Sequence, residues 1–181
     1  MIRSFPVLLE RSLPSAVRTW PGRRHRPESD LPRRPPGTLR VFESRGYHVI
    51  EAEGPLRPRD PHLVNASSVA LVDMRPRTLN IEIDLKPPRG ATSCVLKVGF
   101  RCRVTDPIVV TRMRMTNLFP ELDSWLAQSQ RLRWLAAERN LDRIDEAYLL
   151  INQRIHAQFR TNPPEVPGMQ VRLVSVRVAV N

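Results

Sequence analysis

The clearest pattern in the chain is the stretch Ser93–Val104. Cys94, Leu96, Val98, Phe100, Cys102 and Val104 fall on one side of it, and Lys97, Gly99, Arg101 and Arg103 on the other. Strict alternation over that length predicts one long antiparallel strand, half on a core and half in water. Cys94, Val98 and Cys102 are expected inside, Arg101 and Arg103 outside. Thr105-Asp106-Pro107 ends it, because proline cannot donate to the ladder. Upstream, Ser68–Asp73 and Thr78–Leu85 also read as strands, split by the turn Met74-Arg75-Pro76-Arg77. Thr38–Phe42 and Tyr47–Ala52 are shorter candidates.

Downstream the period changes to that of a helix. Leu122, Trp125, Leu126, Leu132, Leu135 and Ala136 mark a helix over Leu118–Arg139, with Pro120 in its first turn. Ile144, Tyr148, Ile151, Ile155 and Phe159 mark a second over Leu141–Arg160, with Asp142 as its cap. Met169–Val180 is a closing strand whose alternation slips between Leu173 and Val174, the mark of a bulge. Strands, two helices and a returning strand predict an α+β domain over residues 38–181, mainly antiparallel sheet with two helices packed on it.

Residues 1–37 do not fit that pattern. Residues 21–37 form a Pro/Arg-rich linker with few apolar positions, expected to be extended or disordered. The leader before it has Ile2, Phe5, Leu9, Leu13, Ala16 and Trp20 at helical spacing, with Arg3, Arg11 and Arg18 beside them. A basic amphipathic segment of this kind can lie in a membrane interface. The membrane-surface set is therefore Ile2, Arg3, Phe5, Leu9, Arg11, Leu13, Arg18 and Trp20. Pro14 opposes a continuous helix, and the other outcome is a tail whose apolar residues dock on the domain. Removal of residues 1–37 is expected to leave the domain folded, because the linker has no core residues to lose.

Composition changes the picture in two ways. Ten of the 18 prolines lie in residues 1–61, which separates that part from the periodic segments. The formal charge is +11, from 29 Lys+Arg against 18 Asp+Glu, yet only Lys86 and Lys97 are lysine. The charge is spread along the chain, which implies attraction to anionic surfaces in general and no shaped groove. No apolar run approaches the ~18 residues that span a bilayer. Cys94 and Cys102 share one strand face roughly 26 Å apart at ~3.3 Å per residue, too far for a disulfide. They read as buried reduced thiols.

Candidate chemistry is sparse. His25, His48, His62 and His156 share no tight spacing with other ligand residues, and no phosphate-cradling or nucleophile-elbow motif occurs. Asp142, Asp145 and Glu146 suit a helix start through the macrodipole. Trp125 reads as core, and Trp134, beside Arg131 and Arg133, as core or as an exposed contact for a partner or lipid headgroup. No catalytic residue, metal or cofactor is expected.

Several short motifs occur in one order. Val72-Asp73-Met74-Arg75-Pro76-Arg77-Thr78-Leu79 and Phe100-Arg101-Cys102-Arg103-Val104-Thr105-Asp106-Pro107 are followed by Leu132-Arg133 with Leu141-Asp142-Arg143-Ile144. Ile151-Asn152 with Ile155, and Gly168-Met169-Gln170-Val171, complete the series. In that order they resemble the SPFH or band 7 superfamily of stomatins, prohibitins and flotillins, over residues 68–181 and faintly over 38–67. Asp73, Arg75, Pro76, Asp106, Pro107 and Gly168 are the structural motif positions. The resemblance implies a non-enzymatic scaffold or adaptor, cytoplasmic and peripheral to a membrane. Its implied partners are a weak homo-oligomer or other SPFH-like subunits, an anionic membrane surface, and a membrane protease or channel. Family members have an N-terminal membrane anchor and a coiled coil after the closing strand. Here Ile2 excludes N-myristoylation, the first cysteine is Cys94, and the sequence stops at Asn181, so association is expected to be weak. The alternative is a basic nucleic-acid-binding module, which would stack bases on exposed aromatics within basic strands. In Ser93–Val104 the aromatic, Phe100, lies on the apolar face, which disfavours nucleic acid.

Overall fold

A computed structural model describes residues 4–19, 22–51, 57–85, 94–128 and 144–180. It is an α+β structure that divides into two compact units. The first comprises Met1–Arg75, Val104–Leu118 and Pro167–Met169, and the second Pro76–Arg103, Phe119–Val166 and Gln170–Asn181. This corrects the expectation of one domain over 38–181 behind a disordered tail.

In the first unit, β1 (Val7–Ser12), β4 (Thr38–Ser44), β5 (Tyr47–Ile50) and β6 (Ser68–Asp73) form a sheet of order β1-β6-β4-β5, antiparallel throughout. β2 (Val17–Thr19) and β3 (Arg23–His25) make a small hairpin. Two short helices belong to this unit, α1 (Pro61–Asn65), capped by Asp60, and α2 (Pro107–Arg112), capped by Asp106. The leader is therefore a strand at one edge of the sheet, and Phe5 and Val7 are buried. Leu13 packs on the cluster of Leu31, Phe42, Leu63, Ala66 and Val69, so docking on the domain is the outcome of the two.

The Pro/Arg-rich linker is ordered for a reason that composition hides. Each proline removes an amide donor but leaves a carbonyl, so such a segment carries more acceptors than donors. Arginines supply the difference. Arg26, 1% exposed, donates to the carbonyls of Pro14 (2.6 Å), Leu63 (2.8 Å) and Ala66 (2.8 Å). Arg40 donates twice to Pro32 (2.9 and 2.7 Å) and once to Glu51 (3.0 Å). Arg34 bridges the Thr38 carbonyl and Glu51. Part of the basic excess is thus internal scaffolding.

In the second unit, β7 (Arg77–Leu85), β8 (Cys94–Val104) and β9 (Met169–Val180) form a three-stranded sheet in that order. β7 and β8 pair antiparallel from Arg77↔Cys102 to Leu85↔Cys94. Met74 and Arg75 thus link strands of two different sheets and do not turn a hairpin. The long strand keeps its expected register where its side chains are described: Leu96, Val98, Phe100 and Cys102 are fully buried, and Lys97, Arg101 and Arg103 are exposed, while the side chain of Cys94 lies outside the description.

The inner face of this sheet meets helices α3 (Phe119–Ala127) and α4 (Ile144–Thr161). Leu122, Trp125, Leu126, Ile151 and Ile155 are buried there. The Trp125 ring stacks edge-on to Phe100 at 5.7 Å and to Phe159 at 5.9 Å. Asp142, Trp134 and the remainder of the first expected helix lie outside the described residues.

Candidate functional site

The motif positions form two joints in the first unit. At one, Asp73 is fully buried and takes two bonds from the Arg75 guanidinium, at 2.8 and 3.0 Å, and one from the Arg75 amide. The aliphatic part of Arg75 lies over Gly37, which has φ +76° and whose carbonyl accepts from the Met74 amide. At the other, the Asp106 carboxylate accepts from the amides of Ile108 and Val109, and Pro107 fills the first helical position. The carbonyl of Gly168 accepts from the amides of Thr105 (2.9 Å) and Asp106 (3.1 Å). Gly168 has φ +72°, and a Cβ there would stand 2.8 Å from the Asp106 carbonyl oxygen. Pro76 is exposed and belongs to the second unit.

The leader residues do not make one surface. Phe5 is buried, Leu9 is 42% exposed, and Leu13 packs inward. Arg11 donates to the Asp30 carbonyl, and Arg18 sits opposite Arg24 in the small hairpin. A strand separates residues that a helix would gather on one stripe, so the membrane-surface set is dispersed by the change of period. Ile2, Arg3 and Trp20 lie outside the described residues.

A basic surface does assemble elsewhere, on the outer face of the three-stranded sheet. The Gly168 carbonyl bonds the Thr105 amide, which aligns the ends of β8 and β9. Counting inward, Arg103 falls opposite Gln170 and Arg101 opposite Arg172, all four exposed. Further along, Ser175 Oγ lies 2.5 Å from where a Cβ on Gly99 would be, so Ser175 is the neighbour of Gly99. The count has gained one residue between these points. Val174 is 55% exposed and Ser175 also faces outward, while Val176 is buried. Two successive outward residues are what a bulge produces, at the slip visible in the sequence. Past the bulge, Lys97 falls opposite Arg177. Lys97 pairs with Glu82 across β7 at 2.9 Å. Among the described residues, Arg101, Arg103, Arg172 and Arg177 form no ion pair. Alternation alone puts Arg101 and Arg103 outward, and the phase slip in β9 is the signal that could join them to Arg172 and Arg177.

Other polar features are local. A cleft of about 240 Å³ in the second unit is lined by Glu121, Trp125, Gln128, Asn162 and Glu165. The indole N–H there is already given to the Asn162 carbonyl at 2.7 Å. Cys102 is buried, and desolvation pushes its thiol up to about 11. His48 Nδ1 is buried without a partner among the described residues. No three His, Cys, Asp or Glu side chains among the described residues converge as a metal site would need. No helix among them is long and apolar enough to cross a membrane.

Comparison with protein-family models, with curated proteins and with solved structures returns no match.

Proposed function

We propose that this chain is a non-enzymatic scaffold or adaptor that works at the cytoplasmic face of a membrane, as its resemblance to the SPFH or band 7 superfamily implies. The observation that carries the reading is the meeting of two motifs far apart in sequence. The Asp106-Pro107 strand ending and the Gly168-Met169 strand start touch through Gly168, whose carbonyl takes both preceding amides. Motifs that matched only by their residues therefore also share a joint. The buried charged groups give further support, since Arg26, Arg40, Glu51 and Asp73 are consumed in internal bonds and hold the backbone. Its partners on this reading are further copies or SPFH-like subunits, an anionic lipid surface, and a membrane protease or channel that the assembly regulates. Co-sedimentation with vesicles tests the membrane part. The chain is expected to bind vesicles containing phosphatidylserine and to ignore those of phosphatidylcholine alone. Absence of binding to either contradicts the proposal.

A further inference from the structure

We infer that the outer face of the β7-β8-β9 sheet is the surface that meets the membrane, through the phosphates of anionic phospholipids. The inference rests on the membrane-surface reading above and moves the contact from the leader to this face.

Three observations converge on it. By the count from the Thr105–Gly168 bond, Arg101 and Arg172 fall opposite each other on neighbouring strands, and both are exposed; such strands lie about 4.7–4.9 Å apart. Like charges placed directly across a sheet destabilise it, so the pair is an unfavourable arrangement until an anion lies over it. Arg103 and the Lys97–Arg177 pair extend the same face in both directions, giving five cations. The acids facing outward with them are Glu82, engaged by Lys97, and Asp84, at the far end beside Val95. The opposite side of the sheet is sealed by Phe100 against Trp125, so this side is the one left to bind.

The shape selects the partner. The face is the plane of a sheet, with no aromatic side chain among its described residues. Single-stranded nucleic acid needs such rings for stacking, and duplex grooves need an element that projects into them. Lipid headgroups diffuse in their plane and can match whatever spacing the cations have. Val174, 55% exposed at the bulge between Arg172 and Arg177, adds a small apolar tip of the size a headgroup layer accepts.

The test is vesicle flotation of the full chain with phosphatidylserine vesicles. Each Lys or Arg near an anionic membrane contributes about fivefold to partitioning. Arg101→Gln with Arg172→Gln should therefore lower binding about 25-fold. The same loss of charge on α4, which packs on the inner side of this sheet, Arg154→Gln with Arg160→Gln, should lower it far less. Urea unfolding of the sheet variant should give a midpoint no lower than wild type, because the repulsion between the two arginines is gone. Wild-type binding with an unaffected sheet variant overturns the inference alone, whereas failure of wild type to float removes the membrane reading beneath it. Displacement by inorganic phosphate at constant ionic strength would show a site for free phosphate and overturn the inference. So would tighter binding to a single-stranded RNA oligomer that the sheet variant abolishes.

Discussion

Gly168 shows how much of this structure turns on single backbone positions. Its left-handed φ costs an L-residue about 1–2 kcal/mol, and the Asp106 carbonyl leaves no room for a Cβ. Gly46 has a similar φ (+83°) but nothing within 4 Å, so the two glycines separate strain from collision. Gly46→Ala is expected to cost about 1 kcal/mol in urea unfolding and Gly168→Ala about 2–3 kcal/mol. Equal costs would remove the close approach at the motif joint. Arg26 makes a different point. Burial lowers its pKa from the ordinary value, Asp30 opposes that shift and Arg24 adds to it, yet an arginine so placed still keeps its proton. Arg26→Met strips the carbonyls of Pro14, Leu63 and Ala66 of their donor and should cost about 3–5 kcal/mol. A cost near zero would mean that these carbonyls do not depend on the arginine. Cys102 supplies the pH dependence. The native thiol is held to about 11 by burial, while the unfolded one ionises near the ordinary 9.0. Its share of stability is full below pH 9 and is lost as pH rises towards 11. The urea midpoint should fall across that window, and Cys102→Ala should remove that part of the fall.

At the scale of elements, the long strand was fully legible because its alternation is local and binary: eleven residues choose two sides. In β9 the phase also changes, with Val174 and Ser175 both outward, one residue past the slip read at Leu173–Val174. β1 was misread because its spacing of three and four came from scattered apolar residues that tertiary pairing with β6 overrode. The linker was misread because composition counts prolines and arginines separately, while the structure uses one to satisfy the other. α2 was missed since Asp106-Pro107 ends a strand and starts a helix equally well. The basic face was half legible, because the pairing of β8 with β9 is long-range. Removing residues 1–13 tests the corrected leader: it takes away an edge strand and the buried Phe5 and Val7. The shortened chain should lose cooperative unfolding of the first unit and become sensitive to protease. A midpoint matching the full chain would restore the dispensable tail.

For the whole molecule, the +11 charge now divides into two parts. Arginines such as Arg26 and Arg40 are spent inside, and those on the sheet face and the hairpin are left to repel other copies. Like-charged protomers associate poorly at low ionic strength, and salt or an anionic surface relieves that repulsion. Dilute protein should therefore be a monomer or a weak oligomer whose mass rises with salt and concentration. On the function proposed above, a membrane surface both recruits and gathers this chain. The most direct measurement is the mass of the chain at micromolar concentration, free in solution by sedimentation and on phosphatidylserine vesicles by cross-linking. Monomer or weak oligomer is expected in solution, with larger assemblies on the vesicles. A stable, salt-insensitive ring in solution, or isolated monomers on the vesicles, would contradict it.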